Sequence, residues 1–256
     1  MLPEKGTVFF PERTFIGTPA DAGLAYEDVF FRTTDGVRLH AWWVPHPRAI
    51  ATWLWFHGNA GNISHRLENL ALLHQAVPVS VFLFDYREYG RSEGEISKAG
   101  TFLDAEAAFQ AATTSAAGSG LPLILFGRSL GTALAVHVAA RHRCAGLVLE
   151  AAFTSSADVM RLYFPFLPPP PPGKPTYDSL ALIANVRYPI LFLHGEMDEV
   201  IPLEMARRLF TAASTPKAFE IIPGAGHNDT YVVGGEAYFE TLARFVREAA
   251  ARTAAT

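Results

Sequence analysis

Short apolar runs alternate along this chain with segments of helical spacing. Residues 27–33 and 37–44 each read as a strand, and Thr34-Asp35-Gly36 between them supplies the turn of a hairpin. Residues 49–56 form a third strand, which runs into His57-Gly58-Asn59-Ala60-Gly61-Asn62. Helical spacing then covers 63–75, with Leu67, Leu70, Leu73 and His74 as candidates for its inner face. Residues 79–85 are apolar until their end, the pattern of a parallel strand covered on both faces. The pattern continues as helix 98–114, strand 122–126, helix 130–141, strand 146–150, strand 189–193, helix 203–213, strand 218–222 and helix 236–251. Strands alternating with helices imply parallel βαβ units. The expected class is therefore α/β, a mostly parallel central sheet flanked by helices, with an antiparallel edge from the opening hairpin.

Residues 153–183 break the rhythm. They hold Tyr163-Phe164-Pro165-Phe166-Leu167 and then five prolines, Pro168 to Pro172. Proline continues neither a helix interior nor a central strand. The segment is expected to form a short proline-rich cap over the C-terminal edge of the sheet, with a rigid surface connector as the alternative. There is no internal repeat, and residues 1–256 read as one domain carrying this insertion.

Composition narrows the function classes. Half of the 256 residues are hydrophobic, enough for a large buried core. The most apolar stretch, 121–140, carries Arg128 in its middle between Gly127 and Gly131, which argues against a membrane span. The N-terminus lacks the apolar region of a signal peptide. Phe9-Phe10-Pro11 reads as packing on the domain, with a peripheral membrane contact as the alternative. A net charge of −4 offers no basic footprint for nucleic acid. Cys144 is the only cysteine and has no intramolecular partner, which fits a reducing compartment; a cytoplasmic monomer is expected. No P-loop or well-placed G-x-G-x-x-G is found, so no cofactor is expected.

Gly127-Arg128-Ser129-Leu130-Gly131 matches G-x-S-x-G, with a strand before it and a helix after it. That placement puts the serine on a sharp strand-to-helix turn, where its hydroxyl projects at the sheet edge near a positive helix N-terminus. A serine that merely capped the helix would not require both glycines. Ser129 is therefore the candidate nucleophile.

A serine hydroxyl needs a base, and the base an orienting acid. His227 lies in Pro223-Gly224-Ala225-Gly226-His227-Asn228, directly after the last strand, where a glycine-rich loop can return an imidazole to the sheet edge. His65, His74, His137 and His142 fall on helices, while His40 and His46 lie away from that edge. Asp198, in Gly195-Glu196-Met197-Asp198-Glu199 after an apolar strand, is the first choice of acid. Glu150, at the end of another strand, is its rival, and Glu196 and Glu199 are expected to be solvated. Asp85 also ends a strand, but Arg87 beside it suggests a structural ion pair. For the oxyanion, the N–H of Leu130 is one expected donor, and the loop after the third strand supplies the other, Asn59 first and Ala60 close behind. His57 reads as structural. A metal site combining it with His65 or His194 has no matching ligand spacing, so no metal is expected.

Taken together, FHGNAGNISHR, FDYREYGRSEG, FGRSLGTALA, LEAAFTS, FLHGEMDEVIP and GHND resemble the serine aminopeptidase-like (S33-type) α/β hydrolases, nearest the branch of Bem46-like proteins and protein depalmitoylases. The resemblance runs from about Tyr26 to the last helix. It implies an α/β-hydrolase fold, a triad of Ser129, Asp198 and His227, and an oxyanion loop at Asn59 and Ala60. Three departures stand out. Glu88 occupies a position where the family usually has glycine, a change expected to alter a turn and leave the chemistry alone. The membrane-anchoring helix that begins many relatives is absent from this sequence. The proline run has no counterpart in the family pattern.

The leading expectation is a serine esterase or thioesterase acting on a small-molecule or acyl-ester substrate. Tyr163, Phe164 and Phe166 would offer an apolar acyl site, unless they are ordinary core packing. A peptidase-like amide hydrolase with the same triad is the alternative. A non-catalytic binding protein on this fold is disfavoured, because every triad position is filled.

Overall fold

The computed structural model describes residues 8–115, 120–166 and 176–254. In chain order its strands are β1 (Phe10–Pro11), β2 (Glu27–Arg32), β3 (Arg38–Val44), β4 (Ala51–Phe56), β5 (Ala60–Gly61), β6 (Val79–Phe84), β7 (Leu123–Arg128), β8 (Gly146–Glu150), β9 (Ile190–Gly195) and β10 (Lys217–Ile222). The helices are α1 (Leu67–Ala76), α2 (Lys98–Ser115), α3 (Leu130–Ala139), α4 (Ser156–Tyr163), α5 (Ser179–Leu182), α6 (Leu203–Ala212) and α7 (Thr230–Ala254). Eight strands form one sheet in the order β10-β9-β8-β7-β4-β6-β3-β2. The pairs from β10 to β6 are parallel, while β3 runs antiparallel to both β6 and β2. This is the mostly parallel sheet with an antiparallel edge that the pattern of strands and helices implied, and the α/β-hydrolase arrangement that the family resemblance implied.

The two faces of the sheet follow from strand alternation. Along β4, Leu54 and Phe56 join the core cluster under α2, α3, α5 and α6, while Trp53 and Trp55 join the one under α1 and α7. Phe82 and Phe84 against Val81 and Leu83 repeat the division along β6. Burial on both faces is why these strands carry no polar alternation. Among the described residues no helix is long and apolar enough to cross a membrane. The apolar stretch at 121–140 resolves into β7, a tight turn and α3.

Several local features differ from expectation. The helix expected from 63 opens as a 3-10 turn, Ile63–Arg66, before α1 begins. The last helix starts at Thr230 and breaks at Gly235, whose φ of 51° only glycine adopts without strain. Within 153–183 the chain forms α4 and α5, and the proline run falls outside the described residues. The N-terminal segment pairs β1 with β5, with Phe9 fully buried and Phe10 half exposed. Glu88 has a φ of 69°, a left-handed conformation that glycine accepts freely. Its carboxylate accepts the N–H of Ile96 at 2.8 Å, a bond that glycine would lack.

Candidate active site

Ser129 stands between the end of β7 and the start of α3 with φ 51° and ψ −119°. This is a strained conformation for a residue with a side chain. The neighbouring glycines explain why it is tolerated. A Cβ on Gly127 would lie 2.5 Å from the carbonyl of Gly131, and one on Gly131 would lie 2.0 Å from the carbonyl of Phe56. Only bare backbone fits on either side of the turn.

The ends of β9 and β10 bring the other two groups to Ser129. Nε2 of His227 lies 3.0 Å from the serine Oγ. Nδ1 of His227 lies 2.8 and 3.0 Å from the two carboxylate oxygens of Asp198. Asp198 also accepts N–H groups from Val200 and Ile201, at 2.9 and 2.7 Å. Burial pushes its carboxyl pKa up, but the His227 bond and these backbone donors outweigh burial and hold it below the usual value. The loops that carry Asp198 and His227 meet closely, because a Cβ on Gly195 would lie 2.4 Å from the carbonyl of Gly226.

The rival carboxylates have other partners. Glu150 binds Arg128, Thr230 and Tyr238. Glu196 and Glu199, expected to be solvated, accept the N–H groups of Gly224 and His227 and so fix the loop that carries His227. The ion pair expected between Asp85 and Arg87 is not formed. Arg87 instead pairs with the buried Asp104 and the part-exposed Asp35. Asp85 turns inward, accepts the N–H of Ile63 at 2.9 Å and lies 3.5 Å from Nε2 of His57. Burial raises the Asp85 carboxyl well above its ordinary range. Burial also drives the His57 imidazole down to about 3, with Arg66 adding to the effect. His57 is thus a neutral, fully buried ring that donates Nδ1–H to the carbonyl of Gly58. Burial pushes the Cys144 thiol up to about 12, so it is unreactive near neutral pH.

The loop after β4 passes against Ser129. A Cβ on Gly58 would lie 3.7 Å from the Cβ of Ser129. Asn59 follows it, and Tyr89 donates to its carbonyl (2.5 Å) and to its Oδ1 (3.1 Å). The Asn59 amide in turn donates to the carbonyl of Val8. Tyr86 donates to the carbonyl of His57 at 2.9 Å. Ala60 is drawn into β5 opposite Phe10. Leu130 is the first residue of α3, so its N–H has no partner within the helix. Among the described residues no group of three or more His, Cys, Asp and Glu side chains is arranged to hold a metal ion.

The three aromatics of the insertion are not core packing. Tyr163, Phe164 and Phe166 are 46, 41 and 82% exposed. The Tyr163 hydroxyl donates to the carbonyl of Val200 at 2.7 Å, which ties the end of α4 to the Asp198 loop. Sequence reasoning did not find the support around the site. Tyr89, the segment near Val8 and the Arg128–Glu150 pair all act on loops distant in the chain. A charged residue inside a strand–turn–helix motif was the one available signal, and Arg128 carries it.

A family model described as an alpha/beta hydrolase domain matches residues 51–251. The alpha/beta hydrolase domain-containing protein WAV2 of Arabidopsis thaliana is 35% identical, over 90% of this chain and 82% of its own length. Protein bem46 of Schizosaccharomyces pombe is 33% identical, over 93% of this chain and 83% of its own. Among solved structures, the Pyrococcus furiosus esterase Pf2001 superposes with a TM-score of 0.77, covering 94% of this chain and 97% of that one, at 19% identity.

Proposed function

Because the chain belongs to the alpha/beta hydrolase family, in the branch that holds the Bem46- and WAV2-like proteins, we propose that it is a serine hydrolase cleaving carboxylic ester or thioester bonds through an acyl-enzyme intermediate. The observation that carries this reading is the unbroken hydrogen-bonded line from Ser129 through His227 to Asp198 at a strained strand-to-helix turn.

In this mechanism Nε2 of His227 takes the Ser129 proton as Oγ attacks the substrate carbonyl. Asp198 holds the Nδ1–H tautomer and stabilises the imidazolium. The N–H groups of Leu130 and Asn59, with Ala60 the alternative to Asn59, receive the oxyanion, each contributing about 3 kcal/mol to the transition state. His227 then returns the proton to the leaving alcohol or thiol. Water deprotonated by His227 attacks the acyl-enzyme and releases the acid. Tyr163, Phe164 and Phe166 supply exposed apolar surface at the end of α4 for the acyl chain.

A fluorophosphonate probe tests the reading. It should label the protein, and Ser129→Ala should abolish the label. Labelling that is absent, or that survives the substitution, overturns it. Paired esters, acyl thioesters and aminoacyl anilides then rank the bond cleaved, and Phe166→Ser should weaken turnover of long-chain esters more than short ones.

A further inference from the structure

One buried ionic cluster takes no part in the steps above. Arg128 precedes Ser129 and is almost wholly buried. Its Nε donates to Oε1 of Glu150 at 3.0 Å. Its Nη2 donates to the backbone carbonyl of His227 at 2.5 Å and to Oδ1 of Asn228 at 3.2 Å. A Cβ on Gly58 would lie 3.7 Å from Nη1, so the third nitrogen faces the loop that leads into Asn59. Glu150 is fully buried at the end of β8. It also accepts from Thr230 Oγ1 at 2.6 Å and from the Tyr238 hydroxyl at 2.5 Å, and its backbone carbonyl accepts the N–H of Ser129 at 2.9 Å. One ion pair therefore joins the nucleophile turn, the base loop and α7, and it lies against the oxyanion loop.

Stability alone is a poor reason for such a pair. Apolar side chains of similar volume often stabilise a core as well as a buried salt bridge does. They cannot, however, grip a backbone carbonyl. His227 rides on a loop that includes Gly224 and Gly226, yet its imidazole must meet Ser129 within a fraction of an ångström. We infer that Arg128 is a positioning residue that, oriented by Glu150, clamps the backbone of His227 so that Nε2 stays in register with the Ser129 hydroxyl. The inference rests on the serine-hydrolase reading of the site.

The test uses the full chain with Arg128→Lys, Arg128→Met, Glu150→Gln and the double variant Arg128→Met/Glu150→Gln. The readouts are the second-order rate of fluorophosphonate labelling, kcat and KM for a short aryl ester, and the melting temperature. Labelling and kcat should fall about ten- to a hundredfold with KM little changed. Arg128→Lys should not rescue them, because one ammonium cannot span Glu150 and the His227 carbonyl as a guanidinium fork does. The double variant, which buries no unpaired charge, should melt near the wild type and remain slow. If the single variants fail to fold, the double variant decides. Wild-type rates in a folded double variant, or in Arg128→Lys, overturn the inference while leaving the hydrolase reading intact. A wild-type protein that resists the probe overturns both.

Discussion

The hydroxyl of Ser129 lies 3.0 Å from Nε2 of His227, a partner 98 residues further along the chain. The meeting depends on two parallel strand ends, because the sheet places the termini of β7 and β10 on the same edge. Asp198, from the end of β9 between them in sequence, completes the line. Asp198→Asn keeps the volume but lets His227 adopt the wrong tautomer. Turnover should fall about a thousand- to ten-thousandfold. Glu150→Gln should cost far less, which a side-by-side measurement of kcat on one ester would establish.

Asp198 also links the proposed triad to acid stability. Its carboxyl is held below its ordinary value, because the His227 bond and the backbone donors outweigh burial. A carboxylate whose folded pKa is depressed contributes stability above its unfolded pKa. That stability is lost as pH falls through the folded value. Melting temperature followed from neutral pH to below pH 4 should drop less steeply in Asp198→Asn than in the wild type. Parallel curves would refute the assignment.

The parts of the site that could be read from the sequence are those fixed by local pattern. Ser129 has a glycine two positions away on each side, and Asp198 and His227 each follow an apolar run that ends in a turn. The supporting contacts carry no such signal. Asp85 and Arg87 invite pairing because they are close in sequence, yet each finds a different buried partner as β6 ends, Asp85 the N–H of Ile63 and Arg87 the carboxylate of Asp104. The two-residue pairing of β1 with β5 is too short for any periodicity. The left-handed Glu88 was visible only as a departure from a family's glycine, and its compensating bond to Ile96 depends on a loop geometry that spacing does not encode.

Gly195 is a sharp probe of how the acid and base loops fit. A Cβ there would meet only backbone, the carbonyls of Gly226 and Ala225 at 2.4 and 2.5 Å, so the loops must separate. Gly195→Ala should destabilise the fold by about 1–3 kcal/mol and reduce kcat/KM by more than that loss of folded protein explains. Gly224→Ala meets open space and only the strain of φ 72°, so it should cost about 1 kcal/mol, with a smaller effect on rate. Thermal melts and kinetics on the same preparations separate the two outcomes.

Glu88 balances backbone strain against a side-chain bond. Glu88→Ala keeps the left-handed φ and loses the bond to Ile96, and should destabilise by about 1–2 kcal/mol. Glu88→Gly loses the same bond but relieves about 1 kcal/mol of strain, and should sit close to the wild type. Urea titration orders the three proteins. An alanine variant as stable as the glycine variant would mean that the strain is negligible.

Tyr89 offers the most selective test of the proposed oxyanion loop. Its hydroxyl holds both the carbonyl and the side-chain oxygen of Asn59. Its ring packs against His57 and Tyr86. Tyr89→Phe keeps the packing and deletes only the hydroxyl, which loosens the Asn59 side chain and the Asn59–Ala60 peptide that carries the Ala60 N–H, next to the peptide that presents the Asn59 N–H. An interaction made only in the transition state lowers kcat and kcat/KM together, whereas one made equally in the bound substrate raises KM alone. Tyr89→Phe should therefore lower kcat about tenfold at constant KM, a loss smaller than that of a whole oxyanion donor because Asn59 keeps its tether to Val8. A rise in KM at unchanged kcat would assign this loop to substrate binding instead.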